Sequence, residues 1–561
     1  MKRTLSFAAS AVAALSIVLV FRAEAQQNAA PAPGRAAHLG QVNFQTSCTD
    51  EARSTVETAV ALLHSFQYEE ARHTFTEATK QDPNCAMAYW GRAMSRYEQI
   101  WEFPNKGTLQ HGLEDVQQAQ KFSGAGSGTE AAQTSGKDVT LTTTDRERGY
   151  IAAAAAFYRD DPKLTHEQRL HAYSSALDQL RKQFPDDVNA GAFYALSLIA
   201  LSDEEDDHAK KLADLKEAIA VLQPLCEKAP NNPGPAHYLI HATDYPEFAP
   251  QGLAAARAYA KIAPDSSHAL HMPSHIFVRL GLWQESIDSN IAAAEAGAKA
   301  VHEHRGEAHY EFHALDFLHY SYLQSGQEAK AREVLAQLKD VPGADAEHTK
   351  DHESYMTART ALELHRWKDA ASLAIPDVRL TWKASTYRVR IIGAARLGDV
   401  ESARADMKKY LETVAAQKKQ STEEGYKEAR DKSVQEMEAD AWLQFAEGKR
   451  DDALKTMRAA ADKEDAGYLD SLAVPARETL GDLLLELKRP ADAYKEYEAA
   501  LKKSPNRFDS LYGAGHAAQL AGDSANARAC FARLTEISAP AADRAELSEA
   551  KSFLTTASNG K

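Results

Sequence analysis

Short interruptions that contain proline recur along the chain, and their spacing suits only a few folds. Each separates two segments in which apolar residues recur every three or four positions; the clearest are Asp82-Pro83-Asn84, Ala229-Pro230-Asn231, Ala263-Pro264-Asp265 and Ser504-Pro505-Asn506. Proline cannot continue an α-helix, and Asn or Asp can cap the next one, so each interruption predicts a helix end followed by a helix start. Pro230 and Pro264 are 34 residues apart. The chain is therefore predicted to be all-α and built from repeated helical hairpins.

Small and aromatic residues fall at fixed places within these hairpins. The best copies are Leu480-Gly481, Ala493, Tyr497, Ala500 and Pro505, then Gly515, Ala527 and Phe531, with Ala71, Phe75, Ala78 and Pro83 near the N-terminus. This pattern resembles the tetratricopeptide repeat family, whose 34-residue unit is a helical hairpin. The resemblance covers most of residues 50–540 and implies a right-handed superhelical solenoid in two arrays. A closed ring of helical hairpins stays open as an alternative, because periodicity does not distinguish the two.

The N-terminal residues have the pattern of a secretory signal peptide. Lys2 and Arg3 precede an apolar run from Leu5 to Phe21, and Ala23-Glu24-Ala25 fits a small-x-small cleavage site. We therefore predict a signal peptide over residues 1–25 and a periplasmic or secreted mature chain. No later apolar run is long enough to predict a membrane span.

Composition changes along the chain predict its organisation. The predicted segments are a flexible leader at 26–47, N-terminal hairpins at 48–122, an exposed loop at 123–143, a less regular array at 144–412, a charged linker or helix at 413–433, a C-terminal array at 434–540 and a tail at 541–561. Cys48 and Cys85 flank the first hairpin, whose antiparallel helices bring its two ends together. In an oxidising compartment these two residues could form a disulfide.

Charge and missing motifs exclude several classes of function. Lys and Arg number 65 against 80 Asp and Glu, a net charge of −15, so nucleic-acid binding is not expected. The sequence contains no phosphate-binding glycine loop, no His-Glu-x-x-His and no Gly-x-Ser-x-Gly. It therefore identifies no catalytic residue.

Histidine is concentrated in one part of the chain. Residues 237–319 hold 10 of the 21 histidines, where an even distribution would place about three. The resemblance to tetratricopeptide repeats implies a numbering within each repeat. In that numbering His237 and His241 occupy positions 5 and 9 of one repeat, and His271 and His275 occupy the same positions of the next. The resemblance implies that such positions face the concave groove, and residues four apart share a helix face.

Imidazoles at this spacing are typical ligands of a transition metal. We expect one site with His237, His241, His271 and His275 as its inner set. His268, His313 and Asp316 are reserve ligands, and Asp244 is expected to orient a ligand from outside the shell. Pro273 either kinks its helix or occupies the first position of a new one. A groove without metal, in which histidines hydrogen-bond a peptide, is the alternative.

Ligand type limits the identity of the metal and leaves two classes of function open. A nitrogen-rich shell suits zinc, copper or iron, whereas magnesium and calcium prefer oxygen. The chain could be a binding module whose groove takes a protein or peptide partner. It could equally be a metal-dependent enzyme or a metal carrier on the same scaffold. The sequence specifies neither a substrate nor an oligomeric state.

Overall fold

The computed structural model describes residues 38–100, 104–124, 143–205, 207–303, 307–424, 433–467 and 469–556. Within these ranges every regular element is a helix and no strand occurs, so the all-α prediction is confirmed. Successive helices pack as antiparallel hairpins of the tetratricopeptide type. None of the described helices combines the length and the apolar character needed to cross a membrane.

Twenty-six α-helices lie in the described ranges, with a 3-10 turn at Leu338–Asp340. The first eight are α1 Asp50–His64, α2 Tyr68–Gln81, α3 Ala86–Met94, α4 Lys106–Phe122, α5 Asp145–Phe157, α6 His166–Gln183, α7 Val188–Glu204 and α8 His208–Lys228. The middle of the chain forms α9 Pro233–Thr243, α10 Ala249–Ile262, α11 Ser267–His271, α12 Pro273–Arg279, α13 Trp283–His302, α14 Ala308–Gln324, α15 Glu328–Gln337, α16 Ala346–Glu363 and α17 Trp367–Ala371. The last nine are α18 Leu380–Arg396, α19 Val400–Glu424, α20 Val434–Ala446, α21 Arg450–Asp465, α22 Ala476–Glu486, α23 Pro490–Lys503, α24 Phe508–Leu520, α25 Ser524–Ile537 and α26 Ala545–Thr556.

The regular spacing of small residues reflects close contact between helices. Tyr497 is buried on α23 and lies between Gly481 of α22 and Gly513 of α24. A Cβ atom on Gly481 would lie 2.8 Å from the Tyr497 ring, and one on Gly513 would lie 2.5 Å from it. Any larger residue would push the helices apart, so glycine at these two positions sets the hairpin spacing.

A disulfide closes the first hairpin. Cys48 and Cys85 are bonded, and their Cα atoms are 4.8 Å apart, so the predicted pairing is confirmed. The bond joins residues 37 positions apart in the sequence. In the chain-entropy description, a loop of this size stabilises the fold by roughly 4 kcal/mol.

The disulfide predicts a definite thiol count. The chain has four cysteines, of which Cys226 and Cys530 are free. The denatured mature protein should therefore show two reactive thiols without reductant and all four after reduction, measured with a chromogenic thiol reagent. Four thiols before reduction would contradict the pairing.

The predicted leader is packed where the structure describes it. Phe44 is fully buried and stacks on Trp90 at 5.3 Å between ring centroids. The backbone N–H of Gln41 donates to the carbonyl of Asn231 at 2.8 Å. The prediction of a flexible leader is therefore wrong for residues 38–47, because the apolar side chains in this polar segment fill gaps between helices. The rest of the leader and the predicted signal peptide lie outside the described residues.

The predicted linker does not separate two cores. Helix α19 extends to Glu424, and one apolar cluster continues from Ile392 and Tyr410 to Trp442 and Leu480. The helices before and after residues 413–433 therefore share a core. Residues 425–432 and the predicted loop residues 125–142 lie outside the described ranges.

The predicted tail contains a helix that covers the end of the array. Leu547 and Ala550 of α26 are buried in the same cluster as Phe531. This helix shields the apolar face of the last repeat from solvent, as terminal helices of repeat arrays commonly do.

The C-terminal helices return to contact the middle of the chain. The indole N–H of Trp283 donates to the carbonyl of Asn506 at 2.9 Å, and the backbone N–H of Ala539 donates to the carbonyl of Ser325 at 3.0 Å. Arg507 is buried at the same junction and donates to the hydroxyl of Tyr320 at 3.0 Å. The segment from α13 to α26 therefore closes on itself.

Candidate metal centre

Helix α9 begins abruptly and presents two histidines on one face. The side chain of Asn232 caps it by accepting from the backbone N–H of Gly234 at 3.0 Å, and Pro233 occupies its first position. His237 and His241 follow, four residues apart, and therefore lie on the same face. Because the helix start is fixed, so is the direction in which both imidazoles point.

The first histidine triad combines this pair with His268 of α11. The Nε2 atom of His237 lies 3.0 Å from Nε2 of His268 and 3.1 Å from Nε2 of His241. One ligand atom from each ring lies within 4.8 Å of the others. Three imidazole nitrogens thus converge on one point.

Pro273 divides the next helix in two. Helix α11 ends at His271, and α12 begins with Pro273 in its first position. This outcome matches one of the two alternatives that the sequence left open for Pro273. His271 and His275 nevertheless remain close across the junction, with 3.0 Å between their Nε2 atoms.

The second histidine triad is formed by His271, His275 and His313 of α14. Their ligand atoms also lie within 4.8 Å of one another, and the rings of His271 and His313 are 4.4 Å apart. The two triads adjoin, because the His241 and His275 ring centroids are 6.3 Å apart.

Neighbouring groups determine which nitrogen carries the proton in two of these rings. The Nδ1 atom of His237 lies 2.6 Å from the backbone carbonyl of His64, which can only accept. The Nδ1 atom of His271 lies 2.7 Å from Oδ1 of Asn290, whose Nδ2 donates to the carbonyl of Ser286 at 2.8 Å. Both rings, assigned from these contacts, carry their proton on Nδ1 and present an Nε2 lone pair inward.

Asp244 determines the orientation of a third ring. Its Oδ2 accepts from Nδ1 of His275 at 2.9 Å, and its Oδ1 accepts from Nε of Arg279 at 2.8 Å. Arg279 also donates to the carbonyl of Leu469 at 2.6 Å, which ties this group to the C-terminal helices. Burial would raise the pKa of Asp244, but Arg279 and His275 outweigh it and hold that pKa well below its usual range.

Burial favours the neutral form of five triad histidines. It lowers the pKa of His237 to about 3 and that of His313 to about 3. Desolvation likewise takes the pKa of His241, His268 and His271 far below its usual value. Neutral imidazole is the form that binds metal ions.

Aromatic side chains enclose both triads. The ring of Phe66 lies 4.4 Å from that of His237, and Tyr259 stacks on the other side of His237 at 5.0 Å. Phe317 lies 4.6 Å from His275. Phe66 adopts φ +56°, a left-handed conformation that is costly for a bulky residue. These rings pack against the histidines and limit the movement of their side chains.

The structure groups the predicted ligands differently from the prediction. The expected inner set of four is divided between the two triads, and the reserve ligands His268 and His313 each complete one of them. Asp244 lies outside the ligand atoms, where it orients His275 as expected. Asp316 is not beside the triads' nitrogens, because Arg359 holds its carboxylate in an ion pair at 2.6 Å.

Asn290, which accepts a hydrogen bond from His271, was not identified from the sequence. It is fully buried on α13, three residues after Ile287 and three before Ala293, both of which are buried. A polar residue on the apolar face of an amphipathic helix is the signal that could have identified it.

Away from the histidines, a small cavity of about 30 Å³ lies among α16, α18, α20 and α22. Its lining includes Glu363, Trp367, Arg388, Trp442, Glu478 and Arg507. The indole Nε1 of Trp442 and Oε1 of Glu363 are buried without a hydrogen-bond partner among the described residues. One donor and one acceptor are therefore available inside this cavity.

Two parts of the sequence match a known repeat model. The tetratricopeptide repeat model matches residues 56–99, 439–508 and 478–543. No curated protein matches the chain. Tetratricopeptide repeats are scaffolds for protein interactions.

Solved structures also align with the chain, at low identity. A tetratricopeptide repeat protein from Parabacteroides merdae is 15% identical over 52% of this chain and 97% of its own, with a TM-score of 0.30. The Cut9–Hcn1 hetero-tetramer of the APC/C is 13% identical over 91% and 90%, with a TM-score of 0.29. A monomeric IFIT1 mutant solved with a capped RNA is 13% identical over 89% and 99%, with a TM-score of 0.32. Scores this low carry no argument about ligands or activity. The repeat matches and the packing of its helical hairpins together identify this chain as an all-α protein of tetratricopeptide-type fold.

Proposed function

We propose that this protein is an exported metalloprotein whose repeat scaffold holds a transition metal at the histidine triads. The observation that carries the proposal is the 3.0 Å contact between Nε2 of His271 and Nε2 of His275. Both rings direct Nδ1 at an acceptor, so when both rings are neutral their Nε2 lone pairs face each other. A cation bound by both nitrogens converts this repulsion into coordination.

A proton shared between Nε2 of His271 and Nε2 of His275 is the simplest alternative to a metal ion at this position. Burial lowers the pKa of His271 well below its usual value, which disfavours an imidazolium there. A metal ion gains three nitrogen ligands in either triad, together with outer partners that orient the rings. Zinc, copper and iron are the ions that this donor set suits.

The partial exposure of the second triad favours a second candidate function, that of a metal-dependent enzyme or a metal carrier. The His275 side chain is 14% exposed, and His313 is also partly exposed. Catalysis and metal transfer both require a coordination position that substrate or a partner can reach. A purely structural ion would instead be fully enclosed by its ligands.

The disulfide supports export. Disulfides persist in oxidising compartments, and Cys48 and Cys85 are bonded in this fold. The signal-peptide pattern at residues 1–25 leads to the same compartment, the periplasm or the extracellular medium.

A protein or peptide partner is proposed for the repeat surface, because tetratricopeptide repeats are scaffolds for protein interactions. The cavity lined by Glu363 and Trp442 does not serve for this, since its volume of about 30 Å³ holds little more than one water molecule.

Metal removal tests the main proposal. The purified mature protein, offered zinc, copper and iron near neutral pH, should retain metal after desalting, as measured by elemental analysis. Chelation should lower its melting temperature, because an ion that binds only the folded chain stabilises it. The double variant His241→Ala/His275→Ala should retain no metal and should not respond to the chelator.

His516→Ala provides the matched control for this experiment. His516 lies on α24, far along the chain from the triads, and is partly exposed. Its substitution removes an imidazole without touching either triad, so metal retention should equal that of the parent. A parent protein that stays metal-free with all three metals would refute the proposal.

A further inference from the structure

The two histidine triads resemble each other, and two members of each are displaced by one repeat from their counterparts. Their i, i+4 pairs begin at His237 and His271, which are 34 residues apart, the length of one tetratricopeptide unit. In each triad a third histidine near the start of a following helix completes the set, His268 in the first and His313 in the second. A repeated scaffold has thus produced two similar sets of three nitrogens.

One ion cannot satisfy both sets. A tetrahedral ion accepts four ligands at most, whereas six imidazoles converge here. In the first triad Nε2 of His237 meets two other Nε2 atoms, and in the second the Nε2 atoms of His271 and His275 oppose each other. An ion in one triad leaves the opposed nitrogens of the other triad without a cation.

On the basis of the proposed metal-binding function, we infer that the centre holds two ions, one in each triad, and that both are copper, taken up as Cu(I). The two ions would be neighbours, since rings of different triads approach to 6.3 Å between His241 and His275 and 6.4 Å between His268 and His271. Each ion would have three nitrogen ligands.

Charge selects copper from the metals that suit nitrogen. The six imidazoles are neutral ligands, and the negative charge of Asp244 is offset by its ion pair with Arg279 at 2.8 Å. The ligands therefore neutralise little of the positive charge of the two ions. Coulomb repulsion scales with the product of the charges, so two divalent ions repel each other four times as strongly as two monovalent ions at the same distance. Among zinc, copper and iron, copper alone has a stable monovalent state.

Counting bound ions tests this inference. The mature protein is incubated without oxygen with a copper(I) acetonitrile complex, desalted, and analysed by elemental analysis and native mass spectrometry. The parent should hold two copper ions per chain. His241→Ala, which disrupts only the first triad, and His313→Ala, which disrupts only the second, should each hold one. The control His516→Ala should hold two.

The outcomes separate this inference from the proposed function. A parent with a single ion, or a single substitution that removes both ions, would overturn the two-ion centre and leave the metal-binding proposal intact. A parent that binds none of the three metals would overturn both. Retention of two zinc ions against equimolar copper(I) would overturn the copper assignment. Native mass spectrometry of the parent decides the number of ions even if a variant does not fold.

Discussion

Substitution of Arg507 by methionine is expected to lower the free energy of unfolding by about 3–5 kcal/mol, because it leaves buried carboxylates without a cation. Arg507 is 1% exposed and donates to Glu478 at 2.7 Å and to Glu363 at 2.8 Å. Burial already raises the pKa of Glu363. Denaturant unfolding of the disulfide-intact parent and variant at pH 7 measures the difference.

The defect should depend on pH in a definite direction. Without Arg507, the folded-state pKa of Glu363 should rise further above its unfolded value, since burial then acts unopposed. The penalty is therefore present at neutral pH and shrinks as pH falls toward the unfolded pKa, where the carboxyl group is protonated in both states. A defect of the same size at pH 5 and pH 8 would show that lost packing, rather than charge, causes it.

Arg404→Met is the matched control for charge and side-chain length. Arg404 forms an ion pair with Glu447 at 2.8 Å, but its side chain is 53% exposed. Lys449 still pairs with Glu447 at 2.7 Å after the substitution, so no measurable change in unfolding is expected. Equal stability of the parent and Arg507→Met would mean that closure of the C-terminal helices does not depend on the buried ion pair.

Local sequence patterns were sufficient to predict the hairpins. Pro264 ends one helix and leads into the next, and Tyr497 with its neighbouring glycines sets the distance between partners. Both effects act within a few residues or across one turn, so they are visible as a 34-residue period. The pairing of Cys48 with Cys85 followed from the same reasoning, because one hairpin brings its two ends together.

Local patterns did not predict the contacts between residues that are far apart in the sequence. Phe44 fills a space beside Trp90 and has no periodic position, and Arg507 meets Tyr320 across 187 residues. Such contacts depend on how far each hairpin rotates relative to the previous one, a quantity that the spacing of apolar residues does not determine. The packed leader was missed for this reason, and the closure of the C-terminal segment was left undecided.

The histidine site shows the same division between local and long-range information. The i, i+4 spacing placed His237 and His241 on one helix face, but it did not show which neighbouring helix would complete each pair. That choice depends on the helix break at Pro273, which directs His268 toward the first triad and His275 toward the second. The sequence therefore identified the histidines that come together, but grouped them differently from the structure.

Asp244→Asn should weaken metal binding at the second triad by about 10- to 100-fold, the usual effect of losing a carboxylate that orients a histidine ligand. An asparagine side chain can still accept from Nδ1 of His275, but it carries no charge to stabilise that proton or to hold Arg279. Competition titration with a chromogenic chelator measures the affinity of each site. The affinity of the first triad should stay unchanged, since its outer partner is the carbonyl of His64.

Asp316→Asn separates orientation of the ligand from a general change in charge. Asp316 resembles Asp244 in burial and in pairing with an arginine, Arg359, but the contact at its carboxylate is that ion pair rather than a triad imidazole. It should therefore leave both affinities unchanged, although it removes the same negative charge. Equal weakening by both variants would show that the nearby field, and not the hydrogen bond from His275, controls the second triad. Weakening confined to Asp244→Asn would show that the hydrogen bond from Nδ1 of His275 to Asp244, rather than the loss of a nearby negative charge, controls the second triad.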